Sequence, residues 1–446
     1  MDNVHEILRK EGLTTLLLRY DFRTGKFQFF ASKDWNPDTD WIEYNKTFTV
    51  ESILVDDPMY HGTKEVEVMF AKHGGTEYLE EIKELVREGK HIGINFYFHE
   101  GFNMKYIVGV HSNVLGLNNT YQCTYAGATR RHMPDDVELD VIVDALNLGR
   151  AMSFKNVAVN IPFGGCKTTV IMEPLDVKDM KRLGFMGYIT DVCRTTTGPD
   201  MFLPKDMVVP MNENFSMQWA GGAGSPLGDT AVPTAYGTYL AMKQAVKFKT
   251  GNESLDGMSF AVQGLGAIGY NIIMELAKEK TKLFVTDISQ ENIDRVLKDF
   301  PNQDITVVKP DEILKLEVDI LVPCAMGGIL DDEVISELKV KYVFGPANNQ
   351  LKASSQEEEI RLAKLLAKRD ILFQTEWWHN AAGVLGATEE AIHGREPDYT
   401  KADLMKKVED ILPTQTWMNL NRAKEEGVTP TESAYAHAQK LVYGEE

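Results

Sequence analysis

A lysine stands behind two glycines and a cysteine in the stretch PFGGCKTTV, residues 162–170. Its neighbours are apolar or carry hydroxyl groups. A lysine in such a setting is usually a phosphate clamp, a Schiff-base amine or a base whose pKa is lowered by its surroundings. The P-loop pattern needs glycine directly before the lysine and another glycine five residues before that one, where this chain has Cys166 and Ile161. Lys167 is therefore not a P-loop phosphate clamp, and the other two roles stay open.

A second stretch, MSFAVQGLGAIGYNIIMELAKEKTKLFVTDIS, has the chemistry of a dinucleotide site. Gly264, Gly266 and Gly269 have GxGxxG spacing between an apolar strand and a helix. In that motif the glycines permit a tight turn, a close approach to a pyrophosphate, and close helix–strand packing. Asp287 ends the next strand, where a carboxylate binds a ribose and repels a 2′-phosphate. The stretch predicts NAD rather than NADP; the alternative is that the glycines are ordinary turn residues.

Other functional classes find no support in the sequence. There is no HExxH or GxSxG motif, no CxxC pair, and no metal site is predicted. His379, beside Trp377 and Trp378, is as consistent with a packed histidine as with a reactive one. The net charge of −19 without a basic run argues against nucleic acid and membrane partners.

The length and composition indicate a water-soluble chain of more than one domain. A chain of 446 residues exceeds what one hydrophobic core usually supports. No apolar run approaches the length of a membrane span. The first residues, MDNVHEILRKEG, contain no apolar core like that of a signal peptide, so we expect a cytoplasmic protein.

The sequence patterns predict the elements that must carry these residues. LLLRYDF and KFQFFAS read as strands around the turn RTGK, TEYLEEIKELVREG as an amphipathic helix, and KYIVGVHS as a strand. Residues 135–150 have helical spacing. NVAVNIPFGG then reads as an extended run into a glycine turn, which would place Lys167 where a strand meets a loop or helix start. Residues 232–248 read as a helix.

The second half of the chain alternates strand and helix. After the glycine motif, DITVV, VDILVPCA, KYVFGPA and ILFQ read as short apolar strands separated by helical pieces. That alternation is typical of a doubly wound parallel sheet, the Rossmann architecture. YTKADLMKKVEDILPTQTWMNLNRAKEEG and ESAYAHAQKLVYG are further helical stretches.

The chain resembles a known family, the glutamate/leucine/phenylalanine/valine dehydrogenases, over about residues 108–384, and most closely their leucine and phenylalanine members. The stretches that carry the resemblance are AMSFKNVAVNIPFGGCKTTV, TGPDMFLPKDM, TAYGTYLAMKQA, VQGLGAIG, LFVTDI, VPCAMGG, GPANNQL and NAAGV. The resemblance implies reversible oxidative deamination of an L-amino acid with a nicotinamide cofactor.

The resemblance also implies roles for single residues. Lys155 would bind the substrate α-carboxylate, and Lys167 would be the low-pKa lysine that activates water, with Asp206 as its proton-relay partner. An unprotonated amine near another cation is what that chemistry needs, and Lys155 would be the cation. The alternatives are that both lysines are surface charges paired with acids and that Asp206 is a loop or capping carboxylate. Asn348 and Asn380 would line the nicotinamide and substrate cleft.

The remaining site residues follow from the glycine motif and from the same resemblance. Glutamate-specific relatives carry a lysine at the position of Ala126, so the substrate is expected to be an apolar or otherwise uncharged L-amino acid, with Ala126 against its side chain. Trp377 and Trp378 would belong either to that pocket or to the core. The expected contacts with NAD are Gly264, Gly266, Ala267, Ile268, Gly269, Asp287, Ile288, Ala325 and Asn348.

The chain departs from the family at several positions, which leaves the substrate open. Lys205 precedes Asp206, AGATRR replaces a GGxR stretch, and Ala382 replaces a glycine. The alternative functions are a related NAD-dependent oxidoreductase acting on a non-standard amine or a 2-hydroxy acid, and a non-catalytic nucleotide-binding relative.

The predicted architecture is α/β, with two domains around a cleft. Residues 1–231 would form the amino acid dehydrogenase-like catalytic and oligomerisation domain, completed by residues 379–446 packing back across the cleft. Within it, residues 1–101 would be an elaborated extension that serves oligomer contacts or as a lid. Residues 232–378 would form the Rossmann domain. The resemblance implies a homo-oligomer, a hexamer or octamer rather than a dimer.

Overall fold

The computed structural model describes residues 2–47, 55–113 and 124–444. The chain divides into two compact units. Unit 1 comprises Met1–Asn156, Ile161–Asp229 and Ala387–Tyr399, and unit 2 comprises Val157–Asn160, Thr230–Gly386 and Thr400–Glu446. None of the helices within the described residues combines the length and apolar character that a membrane span requires.

Unit 1 is built from a mixed sheet and flanking helices. Its elements are α1 (Val4–Glu11), β1 (Thr15–Asp21), β2 (Lys26–Ser32), α2 (Trp41–Thr47), β3 (Tyr60–His61), α3 (Thr63–Lys72), α4 (Thr76–Glu88), β4 (Gly93–His99), β5 (Met104–Val110), β6 (Tyr125–Ala126), β7 (Thr129–His132), α5 (Glu138–Ala158), β8 (Gly164–Ile171), α6 (Met180–Val192), β9 (Thr195–Thr196) and α7 (Val208–Asn214).

The sheet of unit 1 has the order β3-β2-β1-β4-β5-β8-β6-β9, and β7 also pairs with β8. The strands from β3 to β8 pair antiparallel, whereas β6 and β7 run parallel to β8. The predicted hairpin around RTGK, the strand KYIVGVHS and the amphipathic helix α4 are confirmed. Strand β8, which contains Lys167, therefore pairs with three strands: β5 antiparallel, and β6 and β7 parallel.

Both faces of this sheet are buried. Ile94, Phe96 and Phe98 of β4 pack in one apolar cluster with α1, α3, α4 and α5. Tyr97 lies in a second cluster, with Tyr106 of β5 and residues of α2, α6 and α7. Successive side chains of a strand point to opposite faces, so one strand supplies both cores. This explains why every residue of β4 is buried rather than every second one.

The first 101 residues are not an addition beside the fold. They supply α1–α4 and β1–β4, and β4 pairs along its whole length with β5. These strands form the half of the sheet that continues from β8, so the segment has a structural role in the fold. That residues 1–101 also serve oligomer contacts or as a lid stays a prediction.

Unit 2 contains a parallel sheet with helices. Its elements are α8 (Ala231–Thr250), β10 (Ser259–Gln263), α9 (Ala267–Leu276), β11 (Lys282–Thr286), α10 (Gln290–Asp299), β12 (Asp304–Val307), β13 (Ile320–Pro323), α11 (Asp332–Glu337), β14 (Tyr342–Val343), α12 (Gln356–Lys368), β15 (Leu372–Phe373), α13 (Glu376–His379), α14 (Ala382–His393), α15 (Lys401–Glu426) and α16 (Pro430–Tyr443). Residues 387–393 of α14 belong to unit 1.

The strand order in unit 2 is β12-β11-β10-β13-β14-β15, and every pair is parallel. This is the 3-2-1-4-5-6 order of the doubly wound dinucleotide-binding fold, in which ligands bind where the order reverses, here between β10 and β13. The predicted Rossmann sheet and the two-part α/β fold are confirmed.

The C-terminal helices group with unit 2, which differs from the predicted return of residues 379–446 to the first domain. Only Ala387–Tyr399 of that segment belongs to unit 1. The reason is packing between α8 and α15: a Cβ placed on Gly237 would lie 3.1 Å from Leu412, and the Tyr236 hydroxyl donates to Glu409 at 2.6 Å.

Candidate active site

Lys167 lies in the interior of β8, so the predicted position at a junction between strand and loop or helix is wrong. It stands opposite Gly109 of β5. NVA is the last part of α5 rather than an extended run, and the glycines of PFGG do not form a turn. A Cβ on Gly165 would lie only 2.1 Å from the backbone nitrogen of Ser153. Gly165 therefore lets β8 pack directly against the backbone of α5, whereas a Cβ on Gly164 would lie 2.2 Å from the carbonyl oxygen of Ser112.

Lys167 is buried and paired with an acid. Its side chain is 5% exposed, and Nζ donates to Oδ2 of Asp200, in the loop that follows β9. Burial lowers the pKa of Lys167, the charge of Asp200 opposes this, and the net result is a pKa below the ordinary value. Burial alone would raise the pKa of Asp200, but the charges of Lys167 and Arg130 lower it to about 2.

Two further charged residues adjoin this pair. Arg130 of β7 donates from Nε to Asp200 Oδ2 at 3.1 Å. Its Nη1 donates to both carboxylate oxygens of Asp144 on α5, at 3.0 and 3.1 Å. Strand β7 is parallel to β8, which places Arg130 beside Thr169 in the register. The buried Lys167 therefore belongs to a cluster of four charged side chains, with Asp200, Arg130 and Asp144, and is not an isolated ammonium.

The structure does not bring Asp206 to Lys167, contrary to the expectation from the resemblance. Asp206 lies in a 3-10 turn, Lys205–Met207, and is exposed. Its side chain makes no hydrogen bond or ion pair with any part of the chain that the structure describes. The physical reason is the turn after Asp200, which brings the first carboxylate of the segment to Lys167 and leaves the second in solvent.

That turn is held by Arg131. Its backbone N–H donates to the carbonyl of Met201 at 3.1 Å, and its Nε donates to the carbonyl of Phe202 at 3.1 Å. Phe202 has a left-handed φ of +63°, an uncommon conformation for a bulky residue. Because Asp200 also donates its N–H to Thr129, the turn is fixed to β7 at both ends.

The other residues assigned to unit 1 have these positions. Lys155 is in the last turn of α5 and is partly buried. Arg130 is a cation that lowers the pKa of Lys167, the effect that the sequence analysis expected of Lys155. Ala126 ends β6, is 2% exposed and pairs with Gly165.

Unit 2 contains a cradle that fits a dinucleotide. Gly264 has φ +97°, and a Cβ on it would meet Ala325 at 2.8 Å, while a Cβ on Gly269 would lie 1.9 Å from the carbonyl oxygen of Gly264. Gly266, by contrast, has open space within 4 Å of its Cβ position. The first and third glycines therefore close the turn, and the second leaves the surface where a pyrophosphate can approach. Ala267 and Ile268 begin α9, whose first N–H groups suit phosphate.

Asp287 follows β11 beside this cradle. One carboxylate oxygen accepts the N–H of Leu265 at 2.6 Å, and the other accepts the N–H of Ser289 at 2.7 Å. Burial raises the pKa of Asp287, but these N–H donors outweigh burial and lower it, so the carboxylate is ionised near neutral pH. Ile288, the next residue, is 98% exposed.

Two asparagines follow the later strands of unit 2. Asn380 Nδ2 donates to Oδ1 of Asn348 at 2.9 Å and to the carbonyl of Pro346 at 3.0 Å. Asn380 is 5% exposed, and its Oδ1 has no hydrogen-bond partner within the described ranges. A buried acceptor without a donor is costly unless a ligand supplies one. Ala325 follows β13, on the other side of the order reversal from Gly264.

The aromatic residues near Asn380 are core residues. Trp378 is fully buried and donates Nε1 to the carbonyl of Gln415 at 3.1 Å. His379 is also fully buried, with Nε2 3.0 Å from the carbonyl oxygen of Gly345. Trp377 is 6% exposed and packs on Tyr435. Of the two interpretations that the sequence left open, core packing describes these residues.

No group of three or more His, Cys, Asp or Glu side chains suited to a metal ion occurs in residues 2–47, 55–113 and 124–444.

Two models of one protein family match this chain, one mainly within unit 1 and the other mainly within unit 2. The family model for the dimerisation domain of Glu/Leu/Phe/Val dehydrogenases matches residues 110–217, and the Glutamate/Leucine/Phenylalanine/Valine dehydrogenase model matches residues 284–445. A leucine dehydrogenase of Thermoactinomyces intermedius is 36% identical over 69% of this chain and 79% of its own length. The chain belongs to this family.

Further members of the Glu/Leu/Phe/Val dehydrogenase family match a larger share of the chain. An L-tryptophan dehydrogenase of Nostoc punctiforme is 33% identical over 80% of this chain and 95% of its own. The crystal structure of L-tryptophan dehydrogenase from that organism superposes with a TM-score of 0.66 at 31% identity, covering 81% of this chain and 98% of that one. The glutamate dehydrogenase of Peptoniphilus asaccharolyticus, with 18% identity and a TM-score of 0.57, shares the fold.

The sequence analysis missed Asp200, Arg130 and Asp144 as parts of the site. Asp200 lies in TGPDMFLPKDM and Arg130 in AGATRR, so both were within stretches already noted. The sequence signal for Asp200 is that the same loop stretch contains two aspartates, Asp200 and Asp206. Asp144 lies within the helical stretch and had no signal of its own.

Proposed function

We propose that the chain is an NAD-dependent dehydrogenase that reversibly deaminates an apolar or uncharged L-amino acid to the 2-oxo acid and ammonia. The observation that carries this proposal is the buried Lys167, paired with Asp200, in a chain that also has a dinucleotide cradle. A buried lysine with a lowered pKa is the base that the hydrolytic half of this reaction needs.

The residues of unit 1 support the following chemistry. Lys155 would hold the α-carboxylate of the amino acid as its counter-ion. A bound nicotinamide would supply the hydride acceptor, leaving an iminium carbon on the substrate. Neutral Lys167 would then take a proton from water as the water oxygen bonds to that carbon, which gives a carbinolamine, and would return that proton to the nitrogen. The C–N bond would break as the remaining hydroxyl proton passes to Lys167 and the C=O bond forms, so that the nitrogen leaves as ammonia. Asp200, in contact with Nζ, would stabilise the ammonium form between the two transfers.

The residues of unit 2 fit the cofactor. Gly266 leaves room for the pyrophosphate, the start of α9 offers N–H groups, and Asp287 would bind the adenosine ribose. The unpaired Oδ1 of Asn380 would accept from a ligand N–H. Asn348, hydrogen-bonded to it, would hold the amide in that orientation.

The charge distribution supports a substrate without a second carboxylate. Ala126 is apolar and buried, where glutamate-specific relatives would have lysine. Arg130 is already bonded to Asp144 and Asp200. A buried carboxylate without a partner costs several kcal/mol, so glutamate should be at least about a hundredfold poorer in kcat/KM than the best apolar substrate.

The function is tested by NADH formation with a panel of leucine, valine, phenylalanine, tryptophan and glutamate. Lys167→Met should lower kcat by about a hundred- to ten-thousandfold, because the base is lost, while NADH binding followed by fluorescence stays unchanged. Lys178, an exposed lysine of the same unit, is the matched control, and Lys178→Met should behave as the wild type. Activity of Lys167→Met within a few-fold of wild type, or glutamate as the best substrate, would refute the assignment.

Cofactor choice depends on the Asp287 carboxylate. NAD should exceed NADP in kcat/KM, because an ionised carboxylate repels a 2′-phosphate. Asp287→Ser should lose part of its NAD use and gain NADP use. Asp294→Ser removes an exposed carboxylate from α10 and should leave the ratio unchanged. A wild-type preference for NADP, or no gain of NADP use by Asp287→Ser, contradicts this role.

A further inference from the structure

A row of alternating basic and acidic side chains extends from the buried Lys167 to the exposed Asp136 in unit 1. Lys167, at one end, is 5% exposed, the four side chains between the ends are 17–27% exposed, and the side chain at the far end is 40% exposed. Each member contacts the next through a hydrogen bond or ion pair. In order, the members are Lys167, Asp200, Arg130, Asp144, His132 and Asp136.

The centre of the row is Arg130, which is bonded on both sides. Nε and Nη2 both lie 3.1 Å from Oδ2 of Asp200, the same oxygen that accepts from Lys167. Nη1 contacts both oxygens of Asp144. Oδ2 of Asp200 therefore accepts from two cations, Lys167 and Arg130. Asp144 in turn partly neutralises the charge of Arg130.

The outer end of the row is His132. Its Nε2 is 3.2 Å from Oδ2 of Asp144, and its Nδ1 is 3.1 Å from Oδ2 of Asp136. Carboxylate oxygens only accept, so both contacts are hydrogen bonds when the imidazole carries both protons. His132 contacts two charged groups in this row, Asp136 and Asp144. Asp144 in turn accepts from Arg130.

We propose that Arg130 and Asp144 are positioning residues of the deamination reaction, which orient Asp200 and determine when Lys167 gives up its proton. This inference rests on the proposed function of Lys167 as the base. The family resemblance assigned roles to glycines, to two lysines and to aspartates, but none to Arg130 or Asp144.

The signs of the two contributions are opposite. Burial lowers the pKa of Lys167, Asp200 raises it, Arg130 lowers it and Asp144 raises it. If Arg130 is replaced by a neutral residue, Asp200 and Asp144 act on the lysine without the intervening cation, so the ammonium form persists to higher pH. If Asp144 is neutralised, the ammonium form is lost at lower pH, since one anion is removed while Arg130 stays.

The test is the pH profile of kcat for amino acid oxidation, whose acid limb reports deprotonation of the base. Arg130→Gln should move that limb upward by about one pH unit, and Asp144→Asn should move it downward, in accordance with the size of shifts caused by neighbouring charges. Arg130→Lys keeps the cation and should restore most of the wild-type limb. Damage to packing alone would lower kcat at every pH and move neither limb.

Arg182 and Asp179 provide matched controls in the same unit. Their ion pair is at 2.7 Å, and the Arg182 side chain is 18% exposed, compared with 19% for Arg130. Arg182→Gln and Asp179→Asn should leave the limb at its wild-type position. Thermal unfolding of each variant identifies any that fold poorly. If Arg130→Gln is one of them, the direction in which Asp144→Asn moves the acid limb still tests the proposal.

The outcomes separate this inference from the proposed function. If Lys167→Met is inactive but the limbs of Arg130→Gln and Asp144→Asn coincide with the wild type, or move in the same direction, the positioning role is wrong and the base remains. If Lys167→Met retains activity, or the wild type oxidises no amino acid, the proposed function itself fails.

Discussion

At the scale of single residues, the candidate site depends on which carboxylate meets Lys167. Burial lowers the pKa of a lysine, whereas a neighbouring carboxylate raises it. Here burial prevails over the charge of Asp200, so the pKa of Lys167 is lowered. Asp200 is thus close enough to stabilise the ammonium without preventing its deprotonation.

This geometry predicts that Asp200 matters more than Asp206. Asp200→Asn should lower kcat by about tenfold to a thousandfold, because the partner of Lys167 Nζ loses its charge. Asp206→Asn should stay within about twofold of wild type, since that carboxylate is exposed. Steady-state kinetics of both variants at the pH optimum measure the difference. A larger loss in Asp206→Asn than in Asp200→Asn would restore the role that the family resemblance assigns to Asp206.

At the scale of elements, glycines let the backbone of one element reach the next. On β8, a Cβ at Gly165 would meet Ser153 N at 2.1 Å and the carbonyl oxygen of Gly149 at 2.6 Å, both backbone atoms of α5 that have little freedom to move. In the cofactor cradle, Gly266 has φ −63°, which any residue adopts, and no neighbour near its Cβ position. The two glycines therefore serve different purposes.

Gly165→Ala and Gly266→Ala should separate stability from binding. Gly165→Ala is expected to lower the melting temperature strongly or prevent folding, because α5 and β8 must move apart. Gly266→Ala should melt like the wild type without cofactor but bind NADH more weakly, since its methyl group occupies the approach of the pyrophosphate. Thermal unfolding and NADH titration of both variants measure this. A wild-type melting temperature for Gly165→Ala would contradict the close packing of β8 on α5.

At the scale of the whole molecule, the chain is two units that each bury their own core. Unit 1 has a core on each face of its mixed sheet, and unit 2 has a core on each face of its parallel sheet. The charged row and the dinucleotide cradle are in different units. The region matched by the family's dimerisation domain, residues 110–217, lies largely within unit 1 and contains Lys167 and Asp200.

We expect the protein to assemble from identical chains. The match to a dimerisation domain supports a homo-oligomer, and the resemblance favours a hexamer or octamer of the 50.2 kDa chain over a dimer. Light scattering coupled to size-exclusion chromatography measures the mass directly. A mass of one chain at micromolar concentration would contradict assembly, and a mass of two chains would correct the predicted number.

Local patterns in the sequence were enough for much of this architecture. The helical periodicity of TEYLEEIKELVREG, the hairpin around RTGK and the GxGxxG turn between strand and helix each depend on neighbours within a few residues, and all are found where the patterns place them. The same reasoning failed at PFGGCK. Glycines before a lysine read as a turn, yet here they admit other backbone: Gly165 that of α5 and Gly164 that of Ser112 and Asn113. No local pattern in the sequence expresses these contacts with β8.

The partners of Lys167 were determined by the tertiary structure alone. Asp200 and Asp206 are both acidic residues of one short stretch, and the sequence offered no physical reason to prefer the first. The turn held by Arg131 brings Asp200 to Lys167 of β8 and leaves Asp206 exposed. Arg130 and Asp144 meet because β7 runs parallel to β8 beneath α5. Which charges share a buried site depends on how distant elements pack, and that packing sets the pKa on which the chemistry depends.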